Sequence, residues 1–301
     1  MKRMTIVFAA LFLAGCSQPP QIVDAPSATQ SSRINFLVIH FTAEHFAESM
    51  RLLTEVTDRP VSVHYVVPEP GDETYTLDEL RVHRLVDESR RARHAGTSFW
   101  DGTRNLNDSS IGIEVVNRSG CQTVNPEGEI TTPADQECNF LEFPEEQLDL
   151  VIQLAADIIA RNPDIAPVDV IGHSDIAPDR RVDPGPLFPW KRLYENGIGA
   201  WYDEATLARY RQQFEAYPPN IGLLQEALSA YGYLVEKTGE NDPQTRFALR
   251  AFQLHFRPAD YSGEIDAETA AILFSLLEKY RPKALRGLLQ LDAKSVANDL
   301  E

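Results

Sequence analysis

The chain has 301 residues, of which 43% are hydrophobic and 24% charged, and 28 basic against 45 acidic side chains give a net charge of −17. This composition is typical of a globular protein and excludes a disordered or collagen-like chain. The length indicates about two domains, at roughly 150 residues each. The acidic excess excludes nucleic acid as a favoured partner, because phosphate backbones require compensating Lys and Arg.

The N-terminal residues are typical of an export signal. Lys2 and a neighbouring Arg precede the apolar run Ile6–Ala14, which is too short to span a bilayer. The run leads into a Leu-Ala-Gly-Cys sequence ending at Cys16 that resembles a bacterial lipobox, and the alternative is an ordinary secretory signal with a chance cysteine. We predict a lipoprotein signal peptide over residues 1–15 and lipidation of Cys16. Lipoproteins that are retained in the inner membrane usually carry Asp directly after the lipidated cysteine. This chain has Ser17 there, so the resemblance implies the periplasmic face of the outer membrane.

The next elements predict an α/β domain. Residues 16–32 are rich in Pro, Gln, Ser and Ala, which predicts a flexible linker. Apolar, β-branched runs then predict buried strands at Ile34–Phe41, Val61–Val67, Ile111–Val116 and Val168–Gly172. Apolar residues between Leu148 and Ile159 recur at helical spacing. Alternating strands and helices of this kind indicate the α/β class.

Two cysteines, Cys121 and Cys138, lie in a loop-rich stretch between the last two strands. In an exported protein, oxidising conditions favour a disulfide between them. The alternative is a pair of metal-binding thiolates, but neither cysteine has the short spacing of a zinc site.

The pattern changes to helices alone after Tyr217-Pro218-Pro219. An Asp-x-x-Thr sequence occurs at Asp242 and again at Asp266, where each Asp can cap a helix N-terminus. We predict an α/β domain over 33–217 and a small three-helix domain over 218–281. For the tail, 282–301, both a further helix and an irregular segment remain open.

Polar residues end three of the predicted strands: His40, Glu114 and His173. A carboxylate in an apolar strand is costly to bury unless it is paired or coordinated. Asp183 follows ten residues after His173. Two imidazoles and a carboxylate form a three-ligand zinc set with a fourth position open for water.

These residues occur in segments that resemble a known family. Val38–Thr42, Ser110–Glu114 and Gly172–Pro186 resemble, in order, the type 2 N-acetylmuramoyl-L-alanine amidases, zinc enzymes whose domain is shared with peptidoglycan recognition proteins. The resemblance runs from about Arg33 to Tyr217 and implies a central mixed β-sheet flanked by helices. The C-terminal helices resemble a peptidoglycan-binding domain. Together with the lipobox, they make the chain similar to outer-membrane lipoprotein amidases of this family.

The resemblance implies roles for individual residues. His40, His173 and Asp183 match the zinc ligands, and Glu114 matches the catalytic carboxylate that takes a proton from water. Arg181 stands where the family usually has Lys. Because guanidinium keeps its charge but does not donate its proton, we expect electrostatic stabilisation of the oxyanion from this residue.

The other histidines are assigned lesser roles. His94 matches a family position near the substrate groove, and the choice between substrate binding and a loop hydrogen bond stays open. His64 is expected to support the sheet or the metal ligands. His45, His83 and His255 are expected on surfaces or helix faces, outside the site.

The sequence therefore predicts a zinc amidase that cuts the bond between N-acetylmuramic acid and L-alanine in peptidoglycan or muropeptides. We expect a monomer that contacts the membrane only through its lipid anchor. The alternatives are a protein that binds muropeptides without cutting them and a passive tether between membrane and wall.

Overall fold

The structure is a computed structural model, which describes residues 19–124 and 128–298, with side chains up to residue 290. The predicted signal peptide and Cys16 lie outside the described residues. The chain divides into two units, one through Ser31 and one from Ser32 onward. Residues 19–31 contain no helix or strand.

The second unit combines strands with helices, as predicted. The strands are β1 (Phe36–Phe41), β2 (Tyr65–Val67), β3 (His83–Arg84), β4 (Phe99–Trp100), β5 (Thr103–Arg104), β6 (Ser110–Val115), β7 (Gly120–Thr123), β8 (Gln136–Asn139) and β9 (Val170–Gly172). The helices are α1 (Phe46–Thr54), α2 (Glu145–Arg161), α3 (His173–Ile176), α4 (Trp190–Glu195), α5 (Glu204–Ala216), α6 (Ile221–Tyr231), α7 (Pro243–Phe256), α8 (Ala267–Tyr280) and α9 (Pro282–Asn298).

The central sheet has the strand order β3-β2-β6-β1-β9. Strands β2, β6, β1 and β9 are parallel, and β3 is antiparallel at one edge. Side chains of β1 and β6 are buried on both faces, as parallel sheets require, which explains their continuous apolar sequence. The predicted fold class, a mixed sheet flanked by helices, is confirmed.

Two predicted strands begin later than the sequence indicated. Residues 61–64 bond to loops instead of a neighbouring strand: Ser62 N–H donates to the Arg93 carbonyl at 3.2 Å. Val168 lies in a 3₁₀ turn over Pro167–Asp169. Proline favours the first position of such a turn, so β9 begins only at Val170.

The predicted disulfide joins Cys121 and Cys138, which face each other across the hairpin of β7 and β8. By constraining the unfolded chain, a loop of this size stabilises a fold by about 3 kcal/mol in the chain-entropy model.

Two helices after Pro219, α7 and α8, begin at the predicted caps. Asp242 Oδ1 accepts the Thr245 N–H at 3.0 Å, and Asp266 Oδ1 accepts the Thr269 N–H at 2.8 Å. A buried glutamine donates to each of these threonine hydroxyls, Gln225 to Thr245 and Gln253 to Thr269, at 2.8 and 3.0 Å. The sequence repeat therefore corresponds to a repeated helix-cap structure.

The open question of the tail is answered by α9, which continues from Pro282 and packs against α6 and α8. Proline suits the start of a helix, since its missing N–H would have no partner there. Within residues 19–124 and 128–298, no helix has the length and apolar character needed to span a membrane.

Candidate active site

The sheet brings three of the predicted site residues to one edge. His40 on β1 is paired in register with Glu114 on β6, and Ile39 is paired with Gly172, the residue before His173. Because β6, β1 and β9 are parallel neighbours, their carboxyl ends meet at the edge where α/β proteins commonly bind ligands.

Asp183 reaches the same edge through the loop after α3. Its carbonyl accepts the Ser174 N–H at 2.9 Å, so the loop lies against the start of the helix. A Cβ on Gly172 would lie 2.8 Å from Pro184 Cδ. Glycine at this position therefore permits the close approach that places Asp183 beside His173.

Three potential ligand atoms form a triangle at this edge. His40 Nδ1 lies 3.0 Å from His173 Nδ1 and 3.1 Å from Asp183 Oδ2, and His173 Nδ1 lies 3.0 Å from Asp183 Oδ2. The residues are 1%, 4% and 6% exposed. Ligand atoms of a tetrahedral zinc site lie roughly 3.3 Å apart at ordinary bond lengths. Nitrogen and oxygen donors at these separations fit a zinc ion, and the three residues form a possible metal site.

The protonation states also suit metal binding. Burial, together with the neighbouring His173, lowers the pKa of His40 to about 4, so its ring is neutral at pH 7. Burial alone would raise the pKa of Asp183, but interaction with His173 and His40 holds this pKa well below its usual range. A neutral imidazole and an ionised carboxylate are the forms in which these side chains bind metals.

Glu114 lies beside the triangle with an unsatisfied oxygen. Its Oε2 is buried and has no hydrogen-bond partner among the described residues. Burial and the charge of Asp183 raise the pKa of Glu114 well above its usual range, and Arg181 lowers it in part. Burying a carboxylate oxygen without a hydrogen-bond donor costs free energy. The Oε2 atom of Glu114 therefore has the surroundings of a group that contacts water or substrate.

Arg181 is exposed at the rim of this edge. Among the residues that the structure describes, its side chain makes no hydrogen bond or salt bridge. It nevertheless lies close enough to His40 and Glu114 to act on their pKa values. A free guanidinium is thus near the predicted reaction centre.

Comparison with known proteins identifies the family to which the chain belongs. A family model described as N-acetylmuramoyl-L-alanine amidase matches residues 30–186. The chain belongs to this family. A second model, for a peptidoglycan binding domain, matches residues 218–273.

The amidase is also similar to individual members over most of its length. AmiD of Escherichia coli K12 is 42% identical, over 91% of this chain and 97% of AmiD. A structure of that AmiD with the substrate anhydro-N-acetylmuramic acid-L-Ala-D-γ-Glu-L-Lys superposes with a TM-score of 0.70, covering 85% of this chain and 93% of the other. AmpDh3 of Pseudomonas aeruginosa, in complex with anhydromuramic pentapeptide, is 44% identical. Its structure superposes with a TM-score of 0.77, covering 85% of this chain and 96% of AmpDh3.

His94 in this amidase lies behind His40 instead of facing a groove. Its Nδ1 is 2.9 Å from His40 Nε2, and its Nε2 is 3.2 Å from Ser110 Oγ. The residue is 8% exposed, and a Cβ on Gly112 would lie 2.7 Å from its ring. With both ring nitrogens bonded to protein groups, the placement favours a supporting role over contact with substrate, the two alternatives that the sequence left open.

The hydrogen bonds fix the tautomers of both rings. Ser110 Oγ donates to the Leu106 carbonyl at 2.7 Å, so it accepts the Nε2 proton of His94. Burial lowers the pKa of His94 well below its usual range, so the ring is neutral and its Nδ1 accepts from His40 Nε2. The Nδ1 lone pair of His40 is thereby directed at the metal position.

Replacing Ser110 by alanine is expected to weaken zinc binding by about 10-fold, the lower end of the range for groups that orient metal ligands. Without its acceptor, His94 can present Nδ1–H to His40 and reverse the tautomer. Competition with a chromophoric chelator measures this affinity. Ser275→Ala is the matched control, because Ser275 is also buried and bonded to a backbone carbonyl but lies in α8. Equal zinc affinities of Ser110→Ala and Ser275→Ala would contradict the role of Ser110 in orienting His94 and His40.

His173 has a separate support. Its Nε2 lies 3.3 Å from the Ala95 carbonyl, which also accepts from Arg180 Nη2 at 2.8 Å. Donation from Nε2–H leaves Nδ1 free for the metal. Arg180 was not singled out from the sequence, because its target is a backbone carbonyl 85 residues away.

His64 lies directly before β2 and contacts β6, in keeping with the supporting role expected from the sequence. The Gly112 N–H donates to its Nδ1 at 3.0 Å, and its Nε2 lies 3.2 Å from the Arg90 carbonyl. His255 lies on a helix, as expected, but on a buried face: this residue is 3% exposed and contacts Asp175, two positions after a candidate ligand.

Proposed function

We propose that this amidase is zinc-dependent and hydrolyses the amide bond between N-acetylmuramic acid and L-alanine in peptidoglycan or its fragments. The observation that carries the proposal is the triangle of His40, His173 and Asp183 beside the orphan oxygen of Glu114. The substrates bound in the structures of AmiD and AmpDh3 support the substrate class.

The chain's own residues supply binding and proton transfer. His40 and His173 would hold a zinc ion through Nδ1, and Asp183 would hold it through Oδ2. Zinc, when bound, supplies Lewis acidity that polarises a carbonyl oxygen and lowers the pKa of water. Glu114 accepts a proton from the attacking water as the new C–O bond forms. It then donates that proton to the L-alanine nitrogen as the C–N bond breaks.

Arg181 is proposed to stabilise the oxyanion by charge alone. Arg181→Ala should lose at least about 10-fold in turnover with zinc still bound, less than the 10²–10³-fold seen for buried oxyanion donors, because Arg181 is exposed. Arg181→Lys should stay active. Turnover at saturating zinc is the measurement, with Arg59→Ala as an exposed arginine control. Natural activity in Arg181→Ala would make Arg181 a surface residue only.

The location and domain roles are proposed from the sequence. Residues 1–15 would direct export, and lipidation of Cys16 would anchor the protein to the periplasmic face of the outer membrane through the linker 16–32. Residues 33–217 would carry catalysis and 218–281 would bind the wall. The match of the peptidoglycan binding model to 218–273 supports the last assignment. We propose a monomer.

The proposal is tested by incubating purified muropeptides with the protein, with and without a chelator, and identifying products by mass. We expect a peptide that begins with a free L-alanine amine, released only without chelator. Cleavage within the glycan or between amino acids would contradict the assigned bond, and undiminished cleavage with chelator would contradict the zinc dependence.

A further inference from the structure

The C-terminal helical region makes a buried polar contact with the turn that carries His173. The contact centres on Asp175 in α3, whose side chain is fully buried. Asp175 Oδ2 accepts the Gly172 N–H at 2.8 Å, directly before the ligand His173. The carboxylate therefore fixes the backbone from which this ligand projects.

Two further donors to Asp175 come from beyond Pro219. Tyr233 OH donates to Oδ1 at 2.5 Å, and His255 Nδ1 lies 2.8 Å from Oδ2. A buried carboxylate needs such partners, because each lone pair without a donor carries a desolvation cost. The orientation of Asp175 thus depends on residues some 60 and 80 positions away in the chain.

Both donors are held rigidly. The His255 ring stacks between Trp190 and Phe256, with ring centroids 3.8 and 3.9 Å away. Tyr233 packs edge-on against Trp100 at 4.9 Å and is 1% exposed. Burial raises the pKa of Tyr233 well above its usual range, so its hydroxyl remains a donor at every working pH.

The close fit extends to the backbone. A Cβ on Gly232 would lie 2.8 Å from the Trp100 ring, and the Asp101 N–H donates to the Gly232 carbonyl at 2.9 Å. The segment that carries Tyr233 is therefore fixed to the loop of β4 and β5, independently of its bond to Asp175.

We infer that Tyr233 and His255 are positioning residues of the metal centre, which orient the His173 ligand through Asp175 and Gly172. The C-terminal region is then a structural part of the catalytic site in addition to any role in wall binding. This inference rests on the proposed zinc site.

The test uses the full chain and measures zinc affinity by chelator competition. Tyr233→Phe removes one donor and keeps the ring, and His255→Phe removes the other and keeps stacking on Trp190. Each is expected to bind zinc about 10-fold more weakly, at the lower end of the range for outer partners of metal ligands. His255→Asn, whose amide nitrogen replaces Nδ1, should restore much of the affinity.

Tyr280→Phe is the matched control for a purely structural effect. The Tyr280 hydroxyl also links the C-terminal helices to the rest of the unit, by donating to the Trp201 carbonyl at 3.2 Å, but it has no bond to the His173 turn. We expect its zinc affinity to equal that of the natural protein. Visible spectra of the cobalt-substituted proteins should change in Tyr233→Phe and not in Tyr280→Phe, because they report ligand geometry.

The outcomes separate this inference from the proposed function. If the natural protein binds no zinc, the proposed function fails. If it binds one zinc and Tyr233→Phe matches Tyr280→Phe in affinity and cobalt spectrum, the positioning role is overturned, whatever the behaviour of His255→Phe. Weaker zinc binding and an altered cobalt spectrum in Tyr233→Phe, with both unchanged in Tyr280→Phe, support the inference.

Discussion

Replacing Glu114 by glutamine is expected to lower turnover by about 100-fold or more, since general acid–base catalysis typically contributes 10²–10⁴-fold. Glutamine keeps the shape of the side chain and removes its ability to accept a proton. The neutral amide places no charge beside Asp183, so zinc should remain bound. Steady-state turnover on a defined muropeptide, together with metal content, measures both effects.

Glu69→Gln is the control for this substitution. Glu69 is also half-buried with a pKa raised by burial, but it lies near Arg118 and Asp72, outside the triangle. We expect its turnover to equal that of the natural protein. Near-normal turnover in Glu114→Gln would assign Glu114 a structural role and leave proton transfer to another group.

Replacing Asp183 by asparagine is expected to abolish stable zinc binding. Asp183 contributes the negative charge of the triangle, and its Oδ2 lies within 3.1 Å of the Nδ1 atoms of both histidines. Its loss should therefore weaken zinc binding by more than the roughly 10–100-fold that is typical of partners of metal ligands. Turnover should be lost at zinc concentrations that saturate the natural protein.

Asp179→Asn is the matched control, because Asp179 is an exposed carboxylate four positions earlier in the same loop. Equilibrium dialysis against zinc compares the two variants. If Asp183→Asn retains one zinc per chain with natural affinity, the ligand assignment is incorrect.

The sequence predicted the residues of the sheet edge because their signal is local. His40 and Glu114 interrupt apolar runs, and a polar residue at the end of a buried parallel strand has few structural reasons to be there. The strand-end pattern and the family resemblance together placed His40, Glu114, His173 and Asp183 at one site. The structure brings all four together.

The supporting residues could not be predicted in the same way. Asp175 acts through hydrogen bonds to Tyr233 and His255, which lie far along the chain. Ser110 acts through a bond to His94, outside its own strand, and nothing in the neighbouring residues of either identifies these partners. His255 has the sequence spacing of an ordinary helical residue, and the packing of α7 against Trp190 and Asp175 buries it. Contacts of this kind depend on tertiary packing, which overrides local pattern.

Titration of zinc into metal-free protein, with muropeptide cleavage recorded at each addition, tests directly whether one zinc ion supports catalysis. We expect no cleavage before zinc is added, a linear rise, and a plateau at one zinc per chain. Full cleavage by the metal-free protein, or a rise that continues beyond one equivalent, would contradict a single catalytic zinc held by His40, His173 and Asp183.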